Sequence, residues 1–531
     1  KHLRAAVAAD DLDAPCHYNL ASSYQALNRP VEAATHFKKA IALGLSRKSI
    51  GDFIFLNPAV AACLQHIDDR RLLGTEIGTA PGNHQLEPIA DDIFLQCTLE
   101  TILCATAPLE RVLTCLRSTL LDVAYSHVVH STATADSVVR LFCALAQQCF
   151  INEYIFAETD NETRRASELL DVLQKRCADG EPIPPLLLAA VAAYVPLHSL
   201  PTARELARRT WPETVAGLVR QQILEPLQES DDANAIAALT PIESGTSLQV
   251  MRQYAENPYP RWTINPLAAL AAEWKSPVAS VADDAPGGIE DVLIAGCGTG
   301  QHVFHVMHNF PNARVLAIDI SRPSLAYARR KTREANLPRI EFAQADILAL
   351  GTIDRRFDLI EAVGVLHHLA DPELGWRVLL SLLRPRGEMR IGLYSEAGRR
   401  AIAAVRAFIA EQGYRPTLAD IRKCRQDILR HADHRGWIDV TRPRDFYSTS
   451  GCRDLLFNVV EHRFTIPRIK SFLDRQGLTF LGFDLEKPVL EKFQRQFPGE
   501  GALLDLDLWD RFEAENPQTF RQMYQFMVRR D

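Results

Sequence analysis

Apolar residues recur at intervals of three and four through the first half of the chain. The period is plain over residues 109–116, 138–156 and 187–194, and it puts one apolar stripe on each of several helices. Strand-like alternation is scarce before residue 245, so residues 46–245 are predicted to be almost entirely helical. Pro182, Pro184, Pro185, Pro196 and Pro201 punctuate these helices. Within this half, Glu229-Ser230-Asp231-Asp232 reads as a loop. The polar members of Cys149-Phe150-Ile151-Asn152-Glu153-Tyr154 read as the outer face of a helix. From Asp291 onward short apolar runs alternate with amphipathic stretches, which predicts strands and helices wound into a parallel sheet. A loop rich in Asp, Ala, Pro and Gly, residues 283–288, leads into it.

The first 45 residues carry a finer pattern. Leu20, Ala21 and Tyr24, then Ala33, Phe37 and Ala40, stand where two antiparallel helices interlock, with Asn28-Arg29-Pro30 as the turn. A shift of 34 residues brings Leu3 and Ala6 onto the Phe37 and Ala40 positions. That is the period of a tetratricopeptide repeat, and residues 1–45 resemble one repeat plus the tail of another. One repeat and a fragment cannot bury a solenoid core, and the chain starts at Lys1, so further repeats are expected upstream.

Composition narrows the classes. The 531 residues include 66 acidic and 59 basic side chains, a net charge of −7, with 47% apolar and 24% charged residues. This is ordinary globular usage. The acidic balance argues against nucleic acid as a partner, because phosphate binding needs clustered Lys and Arg. The longest apolar stretch, residues 183–197, contains Pro184, Pro185 and Pro196 and is too short to cross a bilayer. The 11 cysteines form no Cys-x-x-Cys pair. They suit buried thiols in a reducing cytoplasm, with no metal site.

The chemistry concentrates after residue 290. Asp291-Val-Leu-Ile-Ala-Gly-Cys-Gly-Thr-Gly300 runs from an apolar strand into Gly296, Gly298 and Gly300, with a helix predicted from about Gln301. Glycines there permit a tight turn and close approach of a ligand to the backbone. A second strand, Arg314-Val-Leu-Ala-Ile-Asp319, and a third, Ile340-Glu-Phe-Ala-Gln-Ala-Asp346, each end in an acid. The first acid suits ribose hydroxyls, and the second an adenine amino group with Ile347 against the ring. Phe357-Asp-Leu-Ile-Glu-Ala-Val-Gly-Val-Leu-His-His368 is a fourth strand with its following loop. Leu382-Leu-Arg-Pro-Arg-Gly387 is a turn before a fifth, residues 388–394.

This series resembles the class I S-adenosylmethionine-dependent methyltransferases, whose Rossmann-like sheet has seven strands. Together with the N-terminal repeat it is similar to bacterial tetratricopeptide-containing methyltransferases. The resemblance covers residues 250–400, with the last strands near residues 478–483 and 523–528. It implies an α plus α/β chain: repeat over 1–45, helical domain over 46–245, lid or linker over 246–288, and catalytic domain over 289–531 with an insertion near 396–470. It further implies S-adenosylmethionine as cofactor. Gly296, Gly298 and Gly300 would line its methionine part, Asp319 with Ile320 its ribose, and Asp346 with Ile347 its adenine, while Val365 and Leu366 would flank the methyl group. One position departs from the family: Ile294 stands where many members have an acid for the cofactor's ammonium.

Methyl transfer to an alcohol, phenol or protonated amine also requires loss of a proton. His367 and His368 follow the fourth strand on the methyl side and are the candidate bases, with His462 next. Tyr254, Tyr259 and Arg261, in Gln253-Tyr-Ala-Glu-Asn-Pro-Tyr-Pro-Arg-Trp262, suit a lid. The insertion brings Arg444, Tyr447 and Arg453 as candidates for an anionic acceptor, and Glu461 as a polar group near the pocket. The leading expectation is a methyltransferase whose helical half recruits a protein or peptide. Open beside it are a small-molecule or glycan methyltransferase with helices that dimerise or dock it, and a non-enzymatic scaffold with a degenerate cofactor site.

Overall fold

Val292, Leu293, Ile294 and Ala295 are each at most 1% exposed. A strand excluded from water on both faces belongs in the middle of a sheet. The computed structural model describes residues 2–45, 54, 60–62, 83–130, 134–264, 288–521 and 523–530. Within them are β1 (Ala237–Ala238), β2 (Asp291–Ala295), β3 (Arg314–Asp319), β4 (Ile340–Gln344), β5 (Phe357–Val363), β6 (Leu383–Tyr394), β7 (Leu478–Phe483) and β8 (Met523–Arg530). They form one sheet in the order β1-β4-β3-β2-β5-β6-β8-β7. β8 runs antiparallel to both β6 and β7, and the other pairs are parallel.

The expected strands are all present, but the sheet has eight rather than seven. The addition is β1, two alanines paired with Ala343 and Gln344 of β4. A two-residue strand inside a helical stretch has no period to betray it. The turn expected at residues 382–387 is absorbed into β6. There β5 pairs first with Leu383 and then with Glu388, so the intervening residues bulge, with Arg386 at φ +60°.

Alternation along the strands divides the core. Leu293, Ala295, Leu316, Ile318, Ile360 and Ile391 face a layer holding Trp376, Phe472, Trp509 and Phe512. Val292, Ile294, Val315, Ala317 and Leu359 face the helices Gln301–Asn309 and Arg322–Glu334 through Val303, Val306, Leu325 and Ala326.

The chain divides into two compact units, and the division departs from the sequence boundaries. One unit comprises residues 1–228, 261–272 and 414–453, and the other 229–260, 273–413 and 454–531. The expected insertion is therefore not one piece. Its central part, with the helix Leu418–Arg435, belongs to the helical unit. The reason lies in buried charge: Arg425, fully buried, makes a two-pronged pair with Glu110 at 2.7 and 3.0 Å, and Arg422 grips Glu158. Nothing local in the sequence marks such long-range partners.

In the helical unit, Ala14–Ala26 and Pro30–Ala42 form a hairpin that buries Leu20, Ala21, Tyr24, Ala33, Phe37 and Ala40. Asp13 caps the first helix through the Cys16 amide. The helix Asp136–Ile151 runs through the interior, with Leu141 through Ile151 all buried. This corrects the reading of residues 149–154. Asn152 is 1% exposed rather than on an outer face, and Glu153 and Tyr154 turn the chain at positive φ. The Glu153 carbonyl accepts from Thr449 Oγ1. Likewise Glu229 through Asp232 are no loop. They lie in the helix Glu225–Ala235, where Glu229 pairs with Arg330 and Asp232 with Arg333. Of the expected lid or linker, the helix Gly245–Glu256 belongs to the sheet unit, and residues 265–287, including most of the 283–288 loop, lie outside the described residues. No described helix is long and apolar enough to cross a membrane.

Candidate active site

The carboxyl ends of β2 to β5 open on a cavity of about 330 Å3 whose lining comes entirely from the sheet unit. A crevice beyond the strand ends is where parallel α/β sheets bind ligands. Leaving β2, the chain turns at Gly296, with φ +73°. A Cβ there would stand 2.4 Å from Val365 Cγ2, so only glycine lets the first and fourth strand ends meet. At Gly298 a Cβ would stand 2.8 Å from the Tyr259 carbonyl, which closes over the loop. Gly300 serves differently. It does not line the cavity, and a Cβ on it would meet that of Ala328 at 2.7 Å, so it lets two helices pack.

Asp319 stands at the end of β3. Its Oδ2 accepts the Gly298 amide at 2.9 Å and its Oδ1 the Ser321 amide at 2.8 Å. Burial pushes its acidity weaker than usual, against these amides, which favour the ionised form. Asp346, at the end of β4, caps the short helix Ile347–Thr352 through the Leu348 amide, and its own amide donates to Thr240 Oγ1. Ile320, Ile347 and Val365 line the same cavity, whereas Leu366 is turned into the core.

The two adjacent histidines differ. His367 is fully buried, stacks on Tyr394 with centroids 3.6 Å apart, and does not line the cavity. His368 does line it. Its Nδ1 donates to the Val460 carbonyl at 2.8 Å, which leaves Nε2 as the acceptor, 3.8 Å from Asp454 Oδ1. Burial keeps both histidines below the usual imidazole range, with Asp454 opposing that at His368. His462 donates its backbone amide to the His367 carbonyl and stays out of the cavity lining.

Tyr254 and Tyr259 line the cavity. Tyr254 Oη donates to Asp454 Oδ1 at 2.5 Å, and Asn458 Nδ2 donates to Tyr254 Oη at 3.0 Å. Burial and then the Asp454 charge push the Tyr254 phenol well up, so it remains a donor. Arg261, Tyr447 and Arg453 belong to the helical unit instead. Arg261 lies over Phe150 at 4.3 Å, and Tyr447 is buried beside Arg425. Glu461 is spent on a buried pair with Arg399 at 2.7 Å. Asp454 and Asn458 were not among the residues expected at the site, although their spacing of four puts two polar groups on one side of an otherwise apolar run. Nor were His302 and Gln525, which line the cavity. A second cavity of about 590 Å3 shares Met523 and Gln525 with the first. Among the described residues no group of three or more His, Cys, Asp or Glu could hold a metal ion.

The strand order, the glycine turn and the strand-end acids are those of a Rossmann-like methyltransferase fold. Residues 292–387 match the family model described as a methyltransferase domain. An uncharacterized protein of Synechococcus sp. is 32% identical over 204 residues, 36% of this chain and 48% of that protein. Trans-aconitate 2-methyltransferase of Escherichia fergusonii is 27% identical over 241 residues, 40% of this chain and 89% of that enzyme. The solved structure of PKMT2 from Rickettsia typhi in complex with AdoHcy is 14% identical, with 54% of this chain and 53% of that one covered at a TM-score of 0.37. The chain spans about half the length of the Synechococcus relative.

Proposed function

We propose that the protein transfers the methyl group of S-adenosylmethionine to an oxygen or nitrogen acceptor small enough to enter the sheet unit's cavity. The carrying observation is the meeting of the glycine turn, Asp319, Asp346 and a polar niche of Tyr254, His368 and Asp454 around one cavity. Asp319, already oriented by two amides, has lone pairs left for ribose hydroxyls. Asp346 and Ile347 take the adenine, and Val365 flanks the methyl position. The bound cofactor supplies an electrophilic methyl on a sulfonium.

The niche does the rest. Tyr254, held by Asp454 and Asn458, and His368, held by the Val460 carbonyl, fix an acceptor hydroxyl or amine in place. His368 Nε2 accepts the acceptor's proton, and burial keeps that nitrogen unprotonated at neutral pH. Two relatives named as trans-aconitate 2-methyltransferases, from Methylobacterium radiotolerans and Escherichia fergusonii, favour a small-molecule acceptor.

A second reading keeps the acceptor on a protein or peptide recruited by tetratricopeptide-like helices. The hairpin over residues 14–42 supports it, with Leu27 and Val31 at its turn 68% and 75% exposed. Incubation with methyl-labelled cofactor and a lysate separates the two. Label in the small-molecule fraction alone excludes the protein acceptor, and label in protein alone excludes the first reading. Absence of any heat on titration with S-adenosylmethionine would overturn both.

A further inference from the structure

A row of charged side chains crosses the buried sheet face beneath the cavity. Register sets Glu361 of β5 beside Ile294 of β2 on one side and Arg390 of β6 on the other. Glu361 is 3% exposed and Arg390 5%. Arg390 Nη2 donates to Asp484 Oδ2 at 2.6 Å and to Gln525 Oε1 at 3.1 Å. On the far side, Glu361 Oε2 lies 3.3 Å from Nδ1 of His302. His302 is the second residue of the helix Gln301–Asn309 that follows the glycine turn, and it lines the cavity.

The charges in this row do not balance. Asp484 and Glu361 are two carboxylates flanking one guanidinium. Burial alone would push the Glu361 carboxyl toward its neutral form, but the His302 hydrogen bond and the neighbouring positive charge, His302's and then Arg390's, outweigh it and hold its pKa below the usual range, so Glu361 is ionised at neutral pH. His305, one turn along the same helix, is pushed down to about 4 by burial and by His302, and so contributes no positive charge. With the His302 ring neutral, the Glu361 and Asp484 carboxylates outnumber the one Arg390 guanidinium, and buried Glu361 is left favouring a further cation on the cavity side of His302. A carboxylate can only accept, so His302 Nδ1 donates to Glu361. In the neutral ring, Nε2 then carries the free lone pair.

We propose that Glu361, acting through His302, holds the ammonium group at the amino-acid end of the cofactor. His302 Nε2 accepts an ammonium N–H, and the Glu361 carboxylate behind the ring fixes its tautomer and opposes the ammonium charge electrostatically. Ile294, at the same level of the sheet, is apolar and offers nothing to that group. Glu361 is a positioning residue in this account, and His302 makes the contact. The inference rests on the methyltransferase reading above.

The test is calorimetric titration of the full chain with two probes. S-adenosylhomocysteine has the amino-acid end; 5′-methylthioadenosine keeps the adenine, ribose and thioether but lacks it. Glu361→Gln and His302→Gln are expected to weaken S-adenosylhomocysteine about tenfold or more, as for a lost charged hydrogen bond, and to leave methylthioadenosine within about twofold. Because His302 is only half-buried at the cavity wall, its variant retains the fold even if the Glu361 variant does not. Equal loss for both probes in the His302 variant, or loss for neither, overturns the proposal while the methyltransferase reading stands. If the unaltered chain binds neither probe, that reading falls and the proposal with it.

Discussion

The carboxylate of Asp319 accepts the Gly298 amide at 2.9 Å and so ties the end of β3 to the glycine turn that leaves β2. One residue thus shapes the loop and, in the proposed function, receives the ribose. Asp319→Ala is expected to weaken S-adenosylhomocysteine by about 1–3 kcal/mol, the cost of losing a buried charged partner. Asp319→Asn should lose less, because its one remaining oxygen can still accept from the Gly298 amide while the charge is gone. Titration calorimetry reads both. Unchanged affinity in the alanine variant would remove Asp319 from the ribose site.

The adjacent histidines should separate by phenotype. His368→Ala is expected to lower turnover on the order of 10²-fold or more, the usual scale for a lost general base, with S-adenosylhomocysteine affinity intact. His367→Ala removes a buried ring stacked on Tyr394 and should instead lower the melting temperature, by about 2–4 kcal/mol of stability. The measurements are steady-state kinetics and thermal unfolding of both variants. Full turnover in His368→Ala would show that positioning by Tyr254 and Asp454 suffices.

Much of this was legible before the fold. Gly296, Gly298, Asp319, Asp346 and their strands follow from short-range pattern, because each strand end and its next turn are neighbours in sequence. The His-His pair was legible as a place but not as two roles, since stacking on Tyr394 and the bond to Val460 depend on residues 27 and 92 positions away. Asp454 and Glu361 were hidden for the same reason: each gains its meaning from a partner on another strand or helix. Arg261, Tyr447 and Arg453 looked like pocket residues because basic and aromatic groups suit a pocket. Their partners in the helical unit could not be read from neighbouring residues.

Stability should fall in mild acid. Burial pushes His305 down to about 4, and also lowers His367 and His368. The unfolded chain takes up those protons near pH 6.5 while the folded chain resists, so it binds more protons between the two values. Stability therefore drops as pH falls from about 6.5 toward 4. Asp319, which burial raises, runs the other way and regains stability as it protonates. His305 faces His302, His308, Glu361 and Arg390. Its own share is isolated by His305→Gln, expected to shrink the loss between pH 7 and pH 5 by on the order of 1–2 kcal/mol. Urea unfolding at the two pH values measures it, and an identical loss in the variant would assign the acid sensitivity elsewhere.

Arg425 and Glu110, 315 positions apart and both buried, tie residues 414–453 to the rest of the helical unit. Arg425 also donates through Nε to the Phe446 carbonyl at 2.6 Å, which anchors the stretch after the helix Leu418–Arg435. A buried pair that loses one member strands the other charge, so Arg425→Ala should cost the helical unit about 3–5 kcal/mol. Replacing both, Arg425→Met with Glu110→Leu, should restore much of that loss, because no charge is then left unpaired in an apolar surround. Urea midpoints of the two single variants and the double variant form the cycle that reads the coupling. If Arg425→Ala leaves the midpoint unmoved, residues 414–453 are not part of the helical unit's core, and the expected single insertion of the catalytic domain would be the better division of the chain.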